Sequence, residues 1–239
     1  MSTSRKKFLQ QLGLSAAAAS VIPSLAWSDK LVTRKAFHRV LSCNIRVALP
    51  EDEAKGVGWK QRKEMCLEII KKHQPDIVCF QEVLKVQAED IRKSFAGYQL
   101  LGFDGPEMDE HTEGYHGIAK NPILFSKERY ELLAAGTYWL SETPLVAGSK
   151  SWETARARHA NWVRLRERTT RAEVRVIALH LDHISAEAKL QQAKLVAQES
   201  AQYQANFGQI IAGDFNSRFN SPVLVSLRAG DWKESYGTL

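Results

Sequence analysis

Apolar residues in this chain fall into short blocks, and the spacing inside each block separates strands from helices. Val40–Ile45 is an apolar run of strand length, and Asp76–Gln81 is a second, too short and too apolar for an amphipathic helix. Between them Trp59, Cys66, Ile69 and Ile70 recur at helical spacing, which predicts a helix over Trp59–His73 that Pro75 ends. The pattern then predicts a helix over residues 85–95, a short strand from Tyr98 to Leu101 and a polar loop from Gly102 to Gly117. Ile118–Phe125 and Tyr130–Leu140 read as strands joined by the turn Ser126–Arg129. Ala160–Arg168 and Glu173–His180 read as a hairpin around residues 169–172. Ala186–Ala205 is the longest helical stretch, with Leu190, Ala193, Ala197 and Ala201 along one face and Ser185 as its N-cap. An apolar strand at Ile210–Ala212 and a last helix opening at Ser221–Pro222 complete the order.

Strands with unbroken apolar runs need cover on both faces, and alternating strands need it on one. This chain has both kinds, with amphipathic helices early and late. The pattern implies an α/β fold in which two packed sheets are flanked by helices. No internal repeat, low-complexity tract or linker interrupts residues 37–239, which therefore read as one domain after a lead-in over 27–36.

Composition changes this picture mainly at the N-terminus. The chain of 239 residues carries a formal charge of +6, which by itself invites a nucleic-acid partner. Arg5, Lys6 and Lys7, however, belong to a basic opening that runs into Leu12–Leu14, Ala16–Ala19 and the small residues around Ala26. That is the layout of a signal peptide over residues 1–26, too short and weakly apolar for a spanning helix. The opening resembles a twin-arginine export signal, with Lys6 where the second arginine is expected; the general secretory route is the alternative. The expectation is an exported protein, periplasmic or extracellular, with an uncleaved anchor as the variant reading. Without residues 1–26 the balance is 30 basic against 27 acidic residues, a charge of +3, which speaks weakly for nucleic acid. Cys43, Cys66 and Cys79 each sit in an apolar block and read as buried small hydrophobes, with one disulfide as the alternative.

Candidate chemistry gathers where the strands end. Asn44, Glu82, His180 with Asp182, and Asp214 with Asn216 each close an apolar strand. Each has a plain structural reading: Asn44 turns the chain, Glu82 caps the next helix, His180 is a core histidine. Residues 213–217 likewise suit an Asx turn. Four strands ending this way in one domain point instead to an active site at one end of a sheet.

The segments Ser42-Cys43-Asn44-Ile45-Arg46, Cys79-Phe80-Gln81-Glu82-Val83, Ala178-Leu179-His180-Leu181-Asp182-His183 and Gly213-Asp214-Phe215-Asn216 resemble, in order, the motifs of the endonuclease/exonuclease/phosphatase superfamily. Deoxyribonuclease I, exonuclease III, the deadenylases and the inositol-phosphate and sphingomyelin phosphodiesterases belong to it. Gly136–Pro144 is similar to a group of bacterial members. The resemblance covers roughly residues 37–239 and implies a four-layer α/β/β/α sandwich. It also implies hydrolysis of a phosphodiester or phosphomonoester with a divalent metal, usually Mg2+, with Mn2+ as the alternative. By that resemblance Glu82 is a metal ligand and Asn44 supports the metal or the phosphate. His180 bonds a phosphate oxygen, Asp214 orients or deprotonates the attacking water, and Asn216 fixes that aspartate and the phosphate. Arg158 and Asp182 are assigned to substrate binding. The implied partner is a phosphate ester: nucleic acid, a sugar phosphate or a lipid head group. No stable protein partner is expected, and the chain reads as a monomer. Arg164, Arg166 and Arg168 share one strand face and read as solvated, Trp152 and Trp162 read as core or rim, and Tyr115 and His116 as residues of the substrate mouth.

The family pattern continues past Gly-Asp-Phe-Asn into a closing Ser-Asp-His segment, which residues 217–239 do not contain. Two expectations follow: an incomplete second sheet with an uncovered edge, and impaired chemistry. The alternative to an active hydrolase is therefore a catalytically impaired or non-catalytic remnant of the family.

Overall fold

The computed structural model describes residues 37–104 and 119–235. The expected signal peptide and lead-in, Tyr115, His116 and the rest of residues 105–118, and the last four residues lie outside the described residues.

Two four-stranded sheets form among the described residues. The first contains β1 (Val40–Asn44), β2 (Ile77–Gln81), β3 (Tyr98–Leu101) and β4 (Ile123–Ser126), in the spatial order β1-β2-β4-β3. The second contains β5 (Tyr130–Trp139), β6 (His159–Glu167), β7 (Glu173–His180) and β8 (Gln209–Asp214), in the order β5-β6-β7-β8. One pair in each sheet is parallel, β1 with β2 and β7 with β8, and all other pairs are antiparallel. Parallel neighbours require a crossover connection. The first crossover carries α1 (Pro50–Ala54) and α2 (Trp59–Lys72), and the second carries α4 (Ala186–Ser200). Helix α3 (Lys85–Ser94) follows β2, and α5 (Pro222–Ala229) follows β8.

Side-chain alternation sorts the apolar residues into three cores. Ile77 and Cys79 of β2 meet Val174, Val176 and Ala178 of β7 between the sheets. Val78 and Phe80 face the other way, onto Leu67, Ile70 and Ile91 of α2 and α3. Ile177 and Leu179 of β7 pack outward onto Ala193 and Val196 of α4 and Val223 of α5. Three cores between four layers make the α/β/β/α sandwich that the motif resemblance implied. Strands β2 and β7 are buried along nearly their whole length, as their unbroken apolar runs require.

The two parallel pairs face one another across the central core, β1 opposite β8 and β2 opposite β7. This places the C-terminal ends of all four strands together. In the second sheet the outer edge of β8 has no strand against it among the described residues, and all six residues of β8 are half-buried.

Several boundaries differ from the sequence reading. The stretch before Ile123 is not strand; only Lys120 makes an isolated bridge, to Val83, and β4 starts after Pro122, which has no N–H for a ladder. Residues 127–129 carry the chain from one sheet to the other. The polar loop after β1 contains α1, opened by Pro50 at its first turn. Helix α4 stops at Ser200, short of Ala205. Ser185 caps it by accepting from Ala188 N–H at 3.1 Å, and Ser221 caps α5 in the same way. All three cysteines are free, with Cys79 buried and Cys43 and Cys66 half-buried.

Candidate active site

Asn44 closes β1, Glu82 follows β2, His180 closes β7 and Asp214 closes β8, and they meet at one end of the central core. Asn44 Nδ2 donates to Glu82 Oε1 at 2.9 Å and to Asp214 Oδ2 at 3.2 Å. His180 Nε2 lies 3.8 Å from the same Asp214 oxygen. Sequence separations as long as 170 residues are thus closed by direct contact.

Alternation explains three of these placements. Asn44 continues the register of Val40, His180 that of Ala178, and Asp214 that of Ala212, all residues packed against the core between the sheets. Glu82 has the parity of Val78 and Phe80, which face the helices. Its backbone is left-handed, with φ of 63°, and that conformation brings the carboxylate back toward Asn44. A non-glycine residue there costs on the order of 1 kcal/mol, a strain that tends to mark functional sites. Arg46 (φ 60°) and Asn216 (φ 46°) share this conformation.

Three of the motif residues also close local turns. Asn44 Oδ1 accepts from Arg46 N–H, Asp182 Oδ2 from Ile184 N–H and Asp214 Oδ1 from Asn216 N–H, each at 2.9 Å. These are Asx turns, in which one side-chain oxygen fixes the rotamer while the other polar atom points elsewhere. Asn216 is further held by its amide, which donates to Leu181 O at 3.0 Å and ties the ends of β7 and β8 together. Gly213 is required by close approach: a Cβ there would fall on the carbonyl oxygen of Leu179.

A cavity of about 340 Å³ opens over this cluster. Glu82, His180, Asp214 and Asn216 line it, together with Arg46, Arg156, Arg158 and His183, which contribute cationic or ring nitrogens. His180 is buried, and its pKa is pushed down to about 4 by burial and then by Arg158, against the opposing pull of Asp214 and Glu82. The imidazole is therefore neutral near pH 7. Behind it His159 is fully buried, with neither ring nitrogen hydrogen-bonded.

Two of the sequence assignments gain a structural setting. Asn44, expected to support a metal or phosphate, presents its amide nitrogen to the two carboxylates and its oxygen to Arg46 N–H. An amide oxygen turned toward Glu82 and Asp214 would meet two like partial charges, so the nitrogen faces them and Asn44 bridges the two carboxylates. Asp182, assigned to substrate binding, is 0% exposed. It accepts from Thr154 Oγ1, Ala155 N, Ile184 N and Ser185 N at 2.7–3.0 Å, so it positions loops and does not face the cavity. Despite its burial, those donors hold its carboxyl below the usual range. Trp162 is half-buried at the margin of the outer core, with the Arg175 guanidinium 4.9 Å from its ring. Arg164 and Arg166 are paired with Glu173 and lie away from the cavity.

Glu82 fits a hard divalent cation. Each of its oxygens has one partner, Asn44 Nδ2 or Val47 N, which leaves lone pairs open beside the Asp214 carboxylate. One or two carboxylates completed by water and phosphate is the donor set of Mg2+. Among the described residues no group of three or more His, Cys, Asp or Glu gathers as a denser metal site.

Residues 41–234 match the Endonuclease/Exonuclease/phosphatase family. The chain belongs to that family. A family structure from Bacteroides vulgatus is 30% identical with a TM-score of 0.71, covering 80% of this chain and 70% of that one. The mannosyl-6-phosphatase of Bacteroides thetaiotaomicron is also 30% identical at a TM-score of 0.71, covering 80% and 71%. Nocturnin of Drosophila melanogaster is 24% identical over 193 residues, 77% of this chain. The chain spans 17% and 28% of the length of two curated relatives, an uncharacterized mimivirus protein and Nocturnin. The matched residues 41–234 include Asn44, Glu82, His180, Asp214 and Asn216.

Proposed function

We propose that this chain hydrolyses a phosphate ester by in-line attack of water, with a divalent cation at Glu82. The observation that carries the proposal is the convergence of four strand ends on Asp214, through Asn44 and His180. In this reading Glu82 would hold the cation, with Asp214 beside it, and the bound cation supplies charge to offset that on the phosphoryl oxygens. Asp214 orients the water and takes its proton, its own rotamer held by Asn216 N–H and Asn44. Neutral His180, itself buried, donates from Nε2 to a phosphate oxygen as a preorganised donor. Asn216 keeps the ends of β7 and β8 in register. Likeness to a mannosyl-6-phosphatase supports phosphate-ester chemistry. The basic and apolar opening supports action outside the cytoplasm, which fractionation of producing cells tests.

The deciding experiment measures Mg2+- or Mn2+-dependent release of product from generic phosphomonoesters and phosphodiesters. Turnover that Asp214→Ala abolishes while the near-ultraviolet circular dichroism stays native supports the reading. A folded chain with no metal-dependent turnover on any of these esters would leave a non-catalytic binding module.

A further inference from the structure

Two of the three cysteines come together in the tertiary structure, on the side of β1 that faces the helices. Cys43 is the next-to-last residue of β1, and Cys66 lies in the middle of α2. Both are half-buried and pack against the same apolar cluster, which includes Trp59, Leu67, Ile70 and Phe80. Arg62 sits one helical turn before Cys66, on the same face of α2. It donates to the carbonyl oxygens of Ile45 and Arg46, the latter at 2.7 Å. The turn Arg62–Cys66 is thus seated on the end of β1, and the two thiols are in hydrogen-bond contact. We propose that Cys43 and Cys66 are a disulfide-forming pair, which an oxidising environment converts into a covalent strut between β1 and α2. Neither residue takes part in the chemistry proposed above.

The two sulfurs are unlike. The hydrogen bond with Cys43 brings the Cys66 thiol down to about 7, with the Arg62 guanidinium adding to it and burial opposing. The same hydrogen bond, and then burial, push the Cys43 thiol up. Cys66 is therefore the attacking thiolate and Cys43 the donor beside it. Attack by Cys66 on a small-molecule disulfide breaks that S–S bond, forms a mixed disulfide at Cys66 and releases one thiolate. Cys43 then gives its proton to water and attacks the Cys66 sulfur, which forms the Cys43–Cys66 bond and releases the second thiolate. The protein is oxidised by two electrons, and the small disulfide is reduced to two thiols. Cys79 takes no part. It is 0% exposed in the core between the sheets, where burial pushes its thiol up to about 12.

The strut closes a loop over residues 44–65, which contains Asn44, Arg46 and α1. Constraining that loop in the unfolded chain stabilises the folded one. The bond also fastens the end of β1 immediately before Asn44, whose amide bridges Glu82 and Asp214. Disulfides persist mainly outside the cytoplasm, in keeping with the basic and apolar opening that reads as an export signal.

The test incubates the whole folded chain with oxidised glutathione and then maps its peptides without reduction. The expected product is a Cys43–Cys66 linked peptide, with Cys79 still a thiol. It should form faster as pH rises through about 7 and revert with dithiothreitol. Single variants separate a built pair from two unrelated thiols. Cys43→Ser keeps a hydroxyl donor and should stall with glutathione on Cys66, whereas Cys66→Ser should leave Cys43 unmodified. The urea midpoint of the linked chain should exceed that of the reduced chain, and Cys43→Ser should show no such rise under the same treatment. Absence of the linked peptide, a link through Cys79, equal capture of glutathione by both variants, or a linked chain with no gain in midpoint overturns the inference.

Discussion

Strand β6 is flanked by arginines at both ends, and the two ends use them differently. Just before its first residue, Arg156 and Arg158 stand in the cavity wall, on a loop held by Asp182. Near its last residue, Arg164 and Arg166 are each paired with Glu173 by two hydrogen bonds on the neighbouring strand β7. The composition at the two ends is alike. What differs is the setting: a carboxylate on the neighbouring strand pairs with one set, while the other set lines a cavity that Glu82 and Asp214 also line. A basic stretch of sequence therefore says little about binding until its neighbours are known.

The strongest way to break this contrast is to remove the frame of the catalytic end. Gly213→Ala puts a Cβ on the Leu179 carbonyl, so β7 and β8 must separate where His180 and Asp214 meet. A loss of about 3 kcal/mol in urea unfolding is expected, with activity lost as well. Asp214→Asn should separate chemistry from folding. The amide oxygen can keep the Asx turn, so unfolding stays near wild type while turnover falls by about a hundredfold or more. Equal stability and equal turnover would refute the role given to Asp214.

A third test uses pH. His159 is fully buried, and its pKa is pushed down to about 3 by burial, then by Lys120, Arg158 and His180. The unfolded chain protonates this histidine near 6.5, well above the folded chain. Between those values the unfolded state binds more protons, so stability falls as pH drops from about 6.5 toward 3 and is insensitive to this group above 6.5. His159→Leu should raise stability by about 1 kcal/mol at pH 7.5, by removing two unbonded ring nitrogens. The gain should be larger at pH 5, measured by urea unfolding at both pH values. The smallest effect belongs to the far end of β6. Glu173→Gln removes a carboxylate partner of Arg164 and Arg166 and should shift urea unfolding only slightly, with turnover unchanged. A large change in turnover there would erase the contrast between the two ends.

Much of this was legible in the chain. The apolar blocks placed seven of the eight strands within a residue or two, because β2 and β7 are buried on both faces and had to be apolar throughout. The exception, β4, was over-extended toward Ile118 because apolar content does not show that Pro122 breaks the ladder. The turn reading and the functional reading of Asp214 proved compatible, since one oxygen makes the turn and the other meets Asn44. For Asp182, burial and hydrogen-bond partners add what the motif lacks. A motif records that a carboxylate is present, whereas four donors and full burial decide that it holds loops.

By itself the sequence determined the strand and helix order, the family and the residue types of the site, since these follow from periodicity and local motif. Tertiary structure decided the rest. Only the packing of one parallel pair against the other brings four strand ends together, and only the left-handed backbone at Glu82 returns its carboxylate to that face. Alternation is a local rule, and it points Glu82 the wrong way. Which arginine lines the cavity and which faces a glutamate depends on what the neighbouring elements present, a pairing that no stretch of β6 records.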